Sequence, residues 1–204
     1  MWTRRGKLAG GALSHMKLIL LGVPGSGKGT QGRLLAEHFG ATHISSGELL
    51  RAHLADPTGA GRKVGEYVRA GELVPDDVVL FLLREPILAA LERGGYILDG
   101  FPRTLAQAEL AFEHALSLGA TADAVAYLEI PDAAVRRRLL ERSAEGRIDD
   151  GDAAVVERRL QIFHDATQPL LGYYSDRGLL VTVDASGTPE EVEARTLAAL
   201  KARL

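Results

Sequence analysis

An apolar run, Leu18-Ile19-Leu20-Leu21, leads directly into Gly22-Val23-Pro24-Gly25-Ser26-Gly27-Lys28-Gly29-Thr30. That junction constrains the fold more than any other stretch of the chain. A short buried strand ending in a glycine-rich turn lets backbone N–H groups converge on phosphate oxygens, because no Cβ blocks their approach. Residues 30–38 read as a helix, so its N-terminal amides and dipole face the same anion, and Lys28 adds a full charge. The spacing G-x-x-x-x-G-K is that of a phosphate-binding loop. One position departs from the general pattern. After Lys28, where a Mg²⁺-binding Ser or Thr is expected, stands Gly29, and the hydroxyl follows one residue later at Thr30. A turn without function would need glycine only for positive φ. It would not need strand, loop, lysine and helix in this order.

The remaining pattern predicts alternating strands and helices. Strands are expected at 17–21, 96–98, 124–130 and 179–183. A helix over 45–54 opens on Ser45-Ser46 with Glu48, which resembles a capping box. Further helices are predicted at 61–69, from a cap at Asp76 to a kink or end at Pro86, at 104–118, at 132–142, and from 152 onward. Pro189 at a first-turn position opens the terminal helix. Short strands separated by helices imply an α/β fold of the P-loop NTPase kind, a parallel sheet covered by helices on both faces. Ligands then sit at the C-terminal ends of the strands, where the Lys28 loop and Asp99 both fall.

With 204 residues the chain suits one compact domain. A net charge of −3 and 5% aromatic content give no general attraction to nucleic acid and few stacking platforms, so any anion must be caught locally. The absence of cysteine excludes a thiolate zinc site and fits a reducing, cytoplasmic compartment. No apolar run approaches a membrane span. Residues 1–15, with Arg4, Arg5 and Lys7 before a glycine-rich apolar stretch, faintly resemble a signal peptide, but no small-residue cleavage site follows. Met16 is the expected natural start, and the preceding segment is read as a disordered upstream-start extension or cloning remnant.

Among the arginines, Arg51 ends a predicted helix, Arg142 and Arg147 flank a polar segment, and Arg159 lies on the next helix. Arg136, Arg137 and Arg158 are expected on solvated faces or in i,i+4 pairs. Arg103 stands apart: a Pro-Arg pair just after a strand's C-terminal end places a guanidinium where bidentate phosphate contacts are possible. Asp99 ends its strand beside the phosphate-loop strand, where a carboxylate would meet Mg²⁺ or its waters. Since Gly29 offers no hydroxyl, the metal is expected to arrive with its nucleotide, and Asp99 to reach it through water.

The segments GVPGSGKGTQ (22–31), HISSGELLR (43–51), GELVPDD (71–77), ILDGFPRTLAQAE (97–109), LLERSAEGRIDD (139–150) and RRLQIFHDATQPLL (158–171) resemble the adenylate kinase family in order and spacing. The resemblance extends from Met16 to Leu204. It implies reversible, Mg²⁺-dependent phosphoryl transfer from ATP to AMP, giving two ADP, by a monomer without zinc and without nucleic-acid or membrane partners. It implies that the loop Pro24, Gly25, Ser26, Gly27, Lys28, Gly29 and Thr30 holds the ATP phosphates. Arg138 would pack on the ATP adenine, and Arg142, Arg147 and Arg159 would surround the transferred phosphoryl. Arg51 and Arg103 would hold the AMP phosphate, while Ser46, Gln107 and the backbone around Leu73, Val74 and Gly100 would receive its base and ribose. An AMP-binding insert at about 45–74 and a short lid at about 142–152 are implied as well.

This sequence departs from the family's usual pattern by carrying Ser46 for Thr and Glu48 for Asp, each keeping its functional group, and Pro86 has no motif counterpart. A loose, anionic transition state needs positioning and positive charge rather than a base, so His43 and His53 are not recruited. The nearest alternative is a UMP/CMP kinase or other nucleoside monophosphate kinase; Ser46 and Gln107 match the adenine pattern. A GTPase-like switch would account for Lys28 alone, and no N-K-x-D guanine-reading motif is present.

Overall fold

The computed structural model describes residues 15–54, 59–70, 72–144 and 153–203; for residues 54, 59–63 and 140–144 it describes the backbone only. Five strands, β1 (Met16–Leu21), β2 (Thr42–Ser45), β3 (Gly95–Asp99), β4 (Ala124–Glu129) and β5 (Leu180–Asp184), form one sheet in the order β2-β3-β1-β4-β5. All neighbours are parallel.

β1 shows why the predicted strand is apolar without alternation. Leu18 and Leu20 join Leu35, Ile97 and Leu200 on one side, while Ile19 and Leu21 join Ile44, Leu98 and Leu170 on the other. A strand buried on both faces must be apolar at successive positions. Leu18 and Leu20 are fully buried, and truncating either to alanine is expected to cost about 2–5 kcal/mol.

Nine α-helices are described: α1 (Lys28–Phe39), α2 (Ser46–Leu54), α3 (Gly59–Ala70), α4 (Asp76–Leu91), α5 (Leu105–Leu118), α6 (Asp132–Ala144), α7 (Ala153–Ile162), α8 (Pro169–Asp176) and α9 (Pro189–Arg203). A π-helical turn, Phe163–Thr167, joins α7 to α8. Caps fix several starts. Thr104 accepts the amide of Gln107 at 3.1 Å, and Thr188 and Glu191 exchange side-chain-to-backbone bonds in a reciprocal box ahead of α9.

The structure corrects the sequence reading in three places. β2 is a strand that the sequence reading did not include, and its last residue, Ser45, stands in the sheet rather than in the helix expected over 45–54. It is four residues long, and only Ile44 and Ser45 are buried, so it offers almost no apolar period. Pro86 does not end α4, which continues to Leu91; packing of Val79, Leu83 and Ala90 into the core holds the helix across the missing N–H. Asp76 is not the cap: Pro75 occupies that position, with no side-chain cap bond, and Asp76 is the first helical residue.

The strand ends set up the site. In register, Leu20 of β1 and Ser45 of β2 both stand opposite Asp99 of β3. Three chain segments therefore leave the sheet together at its C-terminal edge, with α1 and α2 starting close to that edge.

Candidate active site

The glycine-rich loop forms as its sequence demands. The Ser26 amide donates to the Val23 carbonyl at 3.1 Å, closing the turn. Gly25 has φ +85°, and a Cβ there would lie 3.0 Å from Leu139 Cγ on α6, so the position needs glycine for both conformation and space. Lys28 folds back over the loop, donating from Nζ to the carbonyls of Gly22 at 2.7 Å and Val23 at 2.9 Å. Every loop position predicted from sequence, Pro24, Gly25, Ser26, Gly27, Lys28, Gly29 and Thr30, borders one cleft of about 600 Å³. The same cleft is bordered by Asp99, Arg51, Arg103, Arg138 and Arg159.

A second, smaller recess of about 60 Å³ opens beside it, with Ser46, Leu73, Val74, Gly100 and Gln107 in its wall. Gly47, Arg51, Gly100, Arg103 and Arg159 line both spaces. Three arginines thus line both cleft and recess. The Ser46 hydroxyl is buried there without a hydrogen-bond partner among the described residues. Gly100 has φ +82°, and a Cβ on it would come within 2.6 Å of that hydroxyl, so a side chain at this position would close the passage.

Arg138, on α6, donates to the carbonyls of Ala185 at 3.1 Å and Gly187 at 3.4 Å. This fixes its guanidinium beside the loop that follows β5. Arg103 is held at three points. Its Nε donates to the Gly100 carbonyl at 2.8 Å, its backbone N–H donates to Gln107 Oε1 at 2.7 Å, and its carbonyl accepts the Thr167 hydroxyl at 2.8 Å. Gln107 in turn donates from Nε2 to Asp76 Oδ1 at 2.6 Å. Neither Thr167 nor Asp76 was singled out for the site from sequence. Thr167 comes from the π-helical turn and Asp76 from α4, and no local spacing announces either contact.

Asp99 is 7% exposed. Its Oδ2 accepts from Ser45 Oγ at 3.4 Å and would lie 3.7 Å from a Cβ on Gly29. The carboxylate therefore faces the first turn of α1. Among the described residues no group of three or more His, Cys, Asp or Glu side chains could hold a metal. The donors here, one carboxylate with neighbouring hydroxyls, are all oxygen and fit a hard divalent cation that keeps most of its waters, such as Mg²⁺. His43 sits behind this carboxylate, with Nε2 4.0 Å from Asp99 Oδ2. Burial pushes its pKa below the ordinary 6.5, against the opposing pull of Asp99 and Glu48. It borders neither space, which agrees with giving it no role as a base.

Arg147, the side chain of Arg142 and the lid segment 145–152 lie outside the described residues. Arg136 and Arg158 are exposed, as expected, and each also pairs with a carboxylate from another segment. Arg136 donates to both carboxylate oxygens of Glu157 at 2.6 and 2.9 Å. Arg158 donates to Glu72 at 2.6 Å. Arg137 is exposed, as expected. No helix among the described residues is long and apolar enough to cross a membrane.

Known proteins resemble this chain over most of its length. The family model described as adenylate kinase matches residues 20–179. A curated adenylate kinase of Thermus thermophilus is 46% identical over 185 residues, covering 90% of this chain and 96% of the relative. One of Stenotrophomonas maltophilia is 42% identical over 187 residues, covering 91% and 100%, and one of Thermobifida fusca is 39% identical over 188 residues, covering 92% and 100%. With a matching model over most of its length and relatives aligned nearly end to end, the chain belongs to the adenylate kinase family.

Proposed function

We propose that cleft and recess are the two halves of one reaction site, in which ATP in the cleft passes its γ-phosphoryl to AMP in the recess. The chain is an ATP:AMP phosphotransferase, and one observation carries the division of labour: Arg51, Arg103 and Arg159 border both spaces. In this reading the loop amides from Pro24 to Thr30 and the Lys28 ammonium take the ATP phosphates, with Lys28 exchanging its loop carbonyls for phosphate oxygens. Arg138 packs on the ATP adenine. Arg51 and Arg103 hold the AMP phosphate. Ser46 and Gln107, with the backbone at Leu73, Val74 and Gly100, receive the AMP base and ribose. Arg159, with Arg142 and Arg147 brought in by the lid at about 142–152, surrounds the phosphoryl in transit.

The chemistry asks for little else. The transition state spreads negative charge over the transferred oxygens, so fixed cations and in-line positioning supply most of the acceleration. The attacking oxygen belongs to a phosphate already deprotonated near neutral pH, so no side chain takes a proton. Mg²⁺ bound with the nucleotide would neutralise phosphate charge, with Asp99 reached through its waters. Water must be kept from the γ-phosphate, which the insert at about 45–74 and the lid accomplish by closing. The reading is of a cytoplasmic monomer with small-molecule partners only.

The test is to supply Mg-ATP with AMP, GMP, CMP or UMP in separate reactions and measure diphosphate formation. AMP should be strongly preferred. Preference for UMP or CMP would replace this reading with that of a pyrimidine kinase, and no turnover with AMP would overturn it. Light scattering during size exclusion checks the monomer.

A further inference from the structure

Gln107 is 2% exposed, and each end of its amide meets a partner that can play only one part. The Arg103 backbone N–H, 2.7 Å from Oε1, can only donate. The Asp76 carboxylate, 2.6 Å from Nε2, can only accept when ionised. A side-chain amide is otherwise free to turn over, exchanging oxygen and nitrogen with no change of shape. Here the turn would set donor against donor at Arg103 and acceptor against acceptor at Asp76.

Asp76 is the residue of the α4 start that reaches the recess wall, through its bond to Gln107. It is the first residue of α4 and half-buried, while its neighbour Asp77 is exposed. Favourable charge at a helix N-terminus would be served by Asp77 as well. Only Asp76 turns inward, to Gln107.

With those two bonds made, the amide retains one N–H and one oxygen lone pair. Gln107 borders the recess, so these are available to a ligand in a fixed spatial order. Such a pair complements a base edge on which a ring-nitrogen acceptor lies beside an exocyclic amino group. A base edge with a ring N–H beside a carbonyl presents the reverse order and is mismatched at both atoms. The bond from Gln107 to Arg103 also ties the reading of the base to the backbone of an arginine at the phosphate boundary.

We propose that Asp76 is the specificity-positioning residue of the acceptor site: it holds the Gln107 amide in one orientation, so that a 6-amino purine is accepted and a 6-oxo purine refused. This rests on reading the recess as the acceptor-base site.

The experiment compares kcat and KM for AMP and for inosine monophosphate, with Mg-ATP as donor, in the full chain. Asp76→Ala should lower the AMP-to-IMP ratio of kcat/KM by about tenfold or more, with KM for ATP unchanged. Asp76→Asn, whose carbonyl still accepts, should keep the ratio within about twofold. Should Asp76→Ala not fold, Asp76→Lys, which can only donate, reads out the same ratio. A ratio unchanged in the variants that lack an acceptor, or AMP and IMP weakened equally, overturns the proposal. Gln107→Leu separates the two levels. If it leaves both nucleotides unaffected, the acceptor-base reading of the recess fails; if it collapses the ratio and Asp76→Ala does not, only the assignment of Asp76 fails.

Discussion

The carboxylate of Asp99 and the imidazole of His43 lie 4.0 Å apart behind the phosphate loop, and His43 Nε2 is buried with no hydrogen-bond partner among the described residues. The ring fits because Gly32 of α1 has no Cβ, which would collide with it. Burial, the largest influence, disfavours the charged imidazole more than Asp99 and Glu48 favour it, and Arg33 acts in the same direction as burial. In the unfolded chain that burial is absent. Between the lowered folded pKa and the ordinary 6.5 the unfolded state therefore binds more protons, so stability falls as pH drops through that window and is constant above it with respect to this group. Denaturant unfolding at about pH 7.5 and about pH 5.5 checks this: His43→Gln should lose less stability on acidification than the parent. An equal or larger loss in the variant contradicts it.

Arg103→Ala should leave KM for ATP nearly unchanged, raise KM for AMP, and lower kcat by about 10³ or more. The residue lines both spaces, and its Nε is already fixed to the Gly100 carbonyl. Steady-state kinetics with both nucleotides varied separates the effects. A large loss of ATP affinity would place the residue on the donor side instead.

Thr167→Val keeps the volume of a buried side chain but removes the hydroxyl that reaches the Arg103 carbonyl. The loss should cost about 1–2 kcal/mol of stability. Because the lost bond holds Arg103, kcat should fall while KM for ATP holds, and Thr167→Ser should restore both. Combining Thr167→Val with Arg103→Ala should add little further loss of kcat, since the threonine acts through the arginine.

Gly29 lies within the first turn of α1, and a Cβ there would meet Asp99 Oδ2 at 3.7 Å, an ordinary contact. Gly29→Ala should therefore not destabilise the protein, and removing a flexible residue from a helix should add about 0.5–1 kcal/mol. Thermal unfolding measures it. A lowered Tm would mean that the glycine relieves a strain that the backbone does not display.

The phosphate loop, the all-parallel sheet and Asp99 at a strand end were legible because each is written locally, in a glycine spacing, an apolar run or a strand-to-turn junction. β2 was not. It holds too few residues to show a period, and it exists because β3 offers an open edge opposite Thr42 to Ser45. Pro86 misled for the converse reason: a local rule against proline in helices yields where Leu83 and Ala90 are buried on either side. The arginines of the site could be selected, but what holds them could not. The contacts Thr167 to Arg103, Asp76 to Gln107 and Arg158 to Glu72 join segments far apart in the chain, and sequence spacing carries no record of such distances.

The strand order has a consequence for how the protein is made. β1 leaves the ribosome before its neighbours, yet lies between β3 and β4 at the middle of the sheet. The large cleft is finished still later, by Ala185, Gly187 and Pro189, with Gln31 of α1 donating to the Pro189 carbonyl at 2.8 Å. A nascent chain thus carries its phosphate-loop sequence through most of its synthesis before the last part of the cleft wall has been made. Ribosome-bound chains stalled before β5 should not retain ATP, and binding should arise abruptly, once the last strand and helix have emerged.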